Sequence, residues 1–129
     1  MRYFYIDTEN RPANSWISGL QQLKSTDKVF IVYTKNSTRI PVELFPVARE
    51  CKADIITIEA QTGTRNALDF VLVTLMGQKA LTAAKSAHIV ISADKGYDAS
   101  VTYLSKTGVC AIRATSLQIA LKTLQETKY

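Results

Sequence analysis

Short apolar runs rich in Val, Ile and Tyr alternate along this chain with stretches long enough for amphipathic helices. The runs at 3–7 (YFYID), 28–33 (KVFIVY), 54–58 (DIITI), 87–92 (AHIVIS) and 109–113 (VCAIR) read as five strands. Each is apolar on both faces, as a parallel strand covered by helices should be. Helices are predicted near 14–23, 41–51, 65–86, 98–105 and 116–127. Pro41 suits a first helical turn, where a missing N–H costs nothing, while Thr64 and Ser116 are suited to cap the third and last helices. The strand-helix alternation with right-handed crossovers predicts a three-layer α/β/α sandwich around a five-stranded parallel sheet, most simply in order 3-2-1-4-5. Ligands of such sheets gather beyond the carboxyl ends of the strands where the order reverses, here between the first and fourth strands.

Those two strands end in acids. The first finishes "YIDTEN" and the fourth "ISADKGYD", which delivers Asp7 and Asp94 to one edge, with Asp98 opening the next helix. Asp98 alone reads most simply as a helix N-cap. Two carboxylates at adjacent strand ends repel unless a cation or protons intervene, so metal binding is the natural resolution. The third helix adds Asp69, which on a 3.6-residue period shares a face with Leu72, Val73, Met76 and Ala80 and is expected to point inward. An inward carboxylate needs a partner. Arg65 four residues earlier, the helix N-terminus, or a metal shared with Asp7 and Asp94 each qualify.

Composition narrows the chemistry. The chain has 129 residues, 47% apolar and 21% charged, which suits a single domain spanning 1–129 with one core. No run approaches a membrane span, and Asp7 interrupts any signal-peptide core, so a cytoplasmic protein is expected. Cys51 and Cys110 lack a CxxC spacing and read as reduced packing residues. The one histidine, His88, lies inside the fourth strand and is expected to be structural. The absence of a phosphate-binding GxxxxGK[ST] loop, a GxGxxG turn and a GxSxG elbow argues against an NTPase, a dinucleotide enzyme and an α/β-hydrolase. Hard oxygen ligands without a His or Cys cluster favour Mg²⁺ or Mn²⁺. The net charge of +5 is compatible with a polyanion but does not require one.

Taken together, "YIDTEN" ending the first strand, "NALDF" opening a long helix and "ISADKGYD" ending the fourth strand resemble the signature blocks of PIN-like ribonuclease domains. The likeness is nearest to the stand-alone bacterial PIN-like group and the NYN subgroup and spans residues 3 to 113. It implies a metal-dependent nuclease, usually acting on single-stranded RNA, with the acids Asp7, Asp69, Asp94 and Asp98 as its catalytic and metal-binding set. Asn10 and Asn66 match polar positions that accompany those acids, and Glu9 either joins the metal shell or sits on the loop surface. Lys95 and Arg65 lie beside the acids in sequence and either steer phosphate or remain solvated charges, with Ser92, Thr34 and Lys35 as weaker candidates at strand ends. Tyr97 either stacks a base or packs. A homodimer is an expectation from the family alone. The rival reading is a non-catalytic nucleic-acid-binding or regulatory module on the same scaffold. A receiver-like domain is disfavoured because the third strand carries its aspartate, Asp54, at the start, and a Toprim-like domain because its DxD spacing is DxxxD here.

Overall fold

The structure is a computed structural model and describes residues 1–9, 14–37, 41–61 and 66–126. Strands β1 (Arg2–Asp7), β2 (Lys28–Tyr33), β3 (Asp54–Glu59), β4 (Ala87–Ile91) and β5 (Cys110–Ala114) form one parallel sheet in the order β3-β2-β1-β4-β5. This is the order predicted from the alternation. Helices α1 (Asn14–Ile17), α2 (Leu44–Glu50), α3 (Ala67–Thr82), α4 (Asp98–Lys106) and α5 (Leu117–Glu126) complete an α/β/α sandwich.

The two-residue period of the strands sorts the core into two layers. Phe4 and Ile6 of β1 pack with Trp16, Leu20, Leu44 and Leu117, whereas Tyr3 and Tyr5 face the other way onto Leu68, Leu72 and Met76 of α3. By the same parity Asp7 belongs to the α3 side. Beneath that side His88 is wholly enclosed: Tyr5 Oη lies 2.8 Å from its Nδ1, and its Nε2 lies 2.9 Å from the Ala83 carbonyl. A carbonyl only accepts, so Nε2 carries the proton and Nδ1 accepts from Tyr5. The structural role expected of His88 fits this setting.

Several local expectations shift. The helix predicted at 14–23 breaks after Ile17, and Gly19 at φ 113° leads into a 3₁₀ turn at Leu20–Gln22. Only glycine takes that backbone readily. The second helix starts at Leu44 rather than Pro41, whose carbonyl instead accepts from the Leu44 N–H in the preceding turn. Ser116 accepts from the Ile119 N–H at 3.1 Å, as expected of a cap. Thr64 lies outside the described residues; Asn66, at φ 63°, immediately precedes α3. β3 is an edge strand, partly exposed on both faces rather than covered.

Candidate active site

Register brings the site together. Ile6 of β1 pairs with Ile91 of β4, so the next residues, Asp7 and Ser92, emerge side by side at the carboxyl edge where the strand order reverses. Asp7 is fully buried, yet it is well supplied with donors. Its Oδ1 accepts from the Glu9 N–H at 3.0 Å, and its Oδ2 accepts from Ser92 Oγ at 2.9 Å and from Tyr97 Oη at 3.2 Å. Hydrogen bonds to the charged form keep a buried carboxylate tolerable. Sequence reasoning left the resolution of this charge to a metal; these three donors already contribute to it.

Ser92 works in both directions. Its oxygen also accepts from the Asp94 N–H at 3.0 Å, which ties the loop after β4 to Asp7. Asp94 in turn accepts from the Gly96 N–H at 2.8 Å through Oδ1. Gly96 is not required by its backbone angle, since its φ lies outside the left-handed region. The reason is space, because a Cβ at Gly96 would lie 3.0 Å from Asp94 Oδ1.

From the helix layer, Asp69 sits in the first turn of α3 at the margin of its buried face, which is formed by Leu68, Leu72, Met76 and Ala80. The partner it needed is Tyr97 Oη, at 3.0 Å from Oδ1. This hydroxyl therefore stands between Asp69 and Asp7 with one proton for two carboxylates. Burial and the charges of Asp7 and Asp69 push the Tyr97 phenol far above its ordinary range, so it acts as a donor. Tyr97 is only 2% exposed and has no face free for base stacking. Burial also raises Asp69 above the usual carboxylate range; the Tyr97 bond pulls it back, and the charges of Asp7, Asp94 and Glu9 push it up again.

Glu9 is itself exposed, but it is tied to this edge of the sheet. Its Oε1 accepts from Thr34 Oγ1 at 2.8 Å, and Thr34 lies just beyond β2, two residues past the Val32 that pairs with Asp7. Asp98 goes elsewhere. Arg113 of β5 binds it through Nε at 2.7 Å and Nη2 at 3.4 Å and reaches the Ser92 carbonyl through Nη1 at 3.1 Å. The Arg113 bond holds the Asp98 carboxyl below its usual range, with Lys95 adding to the effect. Lys95 itself is exposed in the 3₁₀ turn Lys95–Tyr97. Asn66, Asp69, Asp94, Tyr97 and Ser100 help line a cavity of about 220 Å³, and Asp98 is not among its walls. Asn10 and Arg65 lie outside the described residues. Among the described residues, no three carboxylate, imidazole or thiolate side chains converge closely enough to cage a metal ion as they stand.

A family model for the PIN domain matches residues 1–114. The chain belongs to the PIN domain family. PIN domains are generally nucleases, and in this one Asp7 and Asp94 follow the two strands between which the order reverses. The match does not single out the NYN subgroup. No curated protein and no solved structure matched the chain in the corresponding comparisons. Among the described residues, no helix of this PIN domain is long and apolar enough to cross a membrane.

Residues missed from sequence are Tyr97 as the bridge between two acids, Thr34 as the anchor of Glu9, and Arg113 as the holder of Asp98. Tyr97 carried a signal, since it lies between Asp94 and Asp98 in "ADKGYD". Arg113 carried none beyond its place on the strand next to β4.

Proposed function

We propose that this PIN domain is a metal-dependent endonuclease that cleaves single-stranded RNA at the cavity beside Asp7. The observation that carries the reading is the crowding of acids at one cavity, which Asp69 and Asp94 both line while Asp7 shares the Tyr97 hydroxyl with Asp69. That excess negative charge is what a divalent cation offsets, and the donors are all hard oxygens, so the set fits Mg²⁺ or Mn²⁺. Asp7, Asp94 and Asp69 would hold the ion with Glu9, whereas Asp98 stands apart from the cavity, bound by Arg113.

A bound ion would lower the pKa of its water toward about 7 and would offset charge on the leaving oxygen. The protein's own groups do the rest. The Glu9 N–H, Ser92 and Tyr97 fix the Asp7 carboxylate in one orientation, so no reorganisation is required when substrate arrives. Lys95 beside the acids can neutralise a phosphate, and Asn66 helps line the cavity as a neutral donor.

A second reading has its own observation. The Tyr97 hydroxyl fills the gap between Asp7 and Asp69, and a permanent hydroxyl there favours a non-catalytic nucleic-acid-binding module. The test is incubation with labelled single-stranded RNA and DNA with Mg²⁺, Mn²⁺ or chelator, beside Asp94→Asn and Asp69→Asn. Metal-dependent cleavage lost in both variants supports the nuclease. Binding without cleavage under every condition favours the module, and cleavage equal in wild type and variants removes the assignment.

A further inference from the structure

Two large aromatic side chains on the α3 and α4 layer stand out in solvent, Phe70 at 65% and Tyr103 at 68% exposure. They are not scattered. Phe70 forms part of the wall of the acidic cavity and also of a depression of about 440 Å³ beside Ile58 and Leu75. Val73 and Ser100 are shared between the acidic cavity and a furrow of about 410 Å³ between α3 and α4, on which Tyr103 sits. Gly77 and Leu104 carry that furrow into a third hollow of about 270 Å³. The hollows therefore share walls from the acids along the helix seam. Gly77 faces open space along it, since a Cβ there would meet nothing within 4 Å.

We infer that this furrow is the path of the substrate strand, with unpaired nucleobases stacking on Phe70 and Tyr103 while a phosphodiester group enters the acidic cavity. The inference rests on the nuclease reading of that cavity and adds where the flanking nucleotides lie. Base stacking on exposed aromatics is tolerant of sequence and contributes about 1–3 kcal/mol per base. An occupant continuous with the acids must present a group that carboxylates and a cation accept, which a phosphodiester does and an apolar peptide does not. The net charge of +5 is compatible with the same polyanion. A duplex is excluded from such stacking because its bases are already paired.

The test measures equilibrium binding of a short fluorescein-labelled single strand, in RNA and DNA forms, to Asp69→Asn protein in Mg²⁺, a background in which the nuclease reading expects cleavage to stop. Phe70→Ala and Tyr103→Ala are added singly, with Gly77→Met as a variant that fills the furrow from an open position. Each is expected to weaken single-strand binding about five- to a hundredfold, the fold-change equivalent of one lost stacking contact. Duplex binding should change less than threefold, roughly the noise of one weak contact. Unchanged single-strand affinity in Phe70→Ala and Tyr103→Ala overturns the inference and gives the furrow to another partner. The failures are separable. If the parent binds single strands through these aromatics but wild type never cleaves, the furrow stands and the nuclease reading falls. If wild type cleaves and the aromatic variants bind and cleave like their parents, only the furrow falls.

Discussion

Ser92 Oγ donates to Asp7 Oδ2 across 2.9 Å in a fully buried contact, and the same oxygen accepts from the Asp94 N–H at 3.0 Å. One hydroxyl thus orients the carboxylate at the end of β1 and pins the loop that carries the acid at the end of β4. Ser92→Ala removes a donor from Asp7 and the acceptor of the Asp94 N–H together. Leaving buried polar groups short of partners costs about 1–3 kcal/mol. Chemical denaturation should find Ser92→Ala less stable by that amount, with Ser92→Thr recovering part of it. A midpoint equal to wild type would mean that the two strand ends are held independently.

The Tyr97 hydroxyl makes a different prediction, because it lies between two acids that we assign to a cation. Tyr97→Phe keeps the ring that packs with Leu68 and Leu72 but leaves Asp7 and Asp69 facing each other with one proton fewer. In metal-free buffer the variant should be less stable by about 1–3 kcal/mol. Mg²⁺ should then raise its melting temperature by more than it raises that of wild type, since the cation takes over what the hydroxyl did. Thermal melts with and without Mg²⁺ check this, and equal Mg²⁺ shifts in the two proteins would contradict it.

How much of this was legible beforehand follows from what each feature depends on. Asp7, Ser92 and Asp94 were readable because strand parity and strand order are written in the apolar period, and both act within one sheet edge. Asp69 was half readable. Its helical face places it at the margin of the buried stripe, but its partner comes from another element, the turn before α4. The Asp98–Arg113 pair depends on the reach of a long side chain from β5 to the start of α4, which no local pattern encodes. The break after Ile17 escaped notice because the apolar period continues through Gly19.

His88 provides a pH-dependent test away from the acids. Burial lowers its pKa from 6.5, with the Ala83 bond opposing in part. The unfolded chain therefore takes up a proton at a higher pH than the folded one. The His88 contribution is fully present above about pH 6.5, declines as pH falls below it, and levels off once the lowered folded value is passed. Denaturation midpoints of wild type should fall between about pH 7 and about pH 5 more steeply than those of His88→Gln, which has no proton to gain there. Parallel slopes would show that the ring charges without cost, contrary to its bonds with Tyr5 and Ala83.

Asp69 sets stability against function. Burial and the charges of Asp7, Asp94 and Glu9 raise its folded pKa above 3.8, with Tyr97 opposing. A raised carboxyl favours the fold while protonated, so its contribution is greatest at low pH and is lost as pH rises through 3.8 toward the folded value. At neutral pH without metal, wild type therefore carries a strained carboxylate. Asp69→Asn keeps an oxygen to accept from Tyr97 and removes the charge, so its metal-free melting temperature should exceed that of wild type. The same variant should lose most of the Mg²⁺-dependent rise in melting temperature and at least about a hundredfold in RNA cleavage, the scale of losing a preorganised electrostatic group. A neutral residue that lowers the metal-free melting temperature would instead mean that the Asp69 charge is compensated within the protein, leaving a cation little to offset.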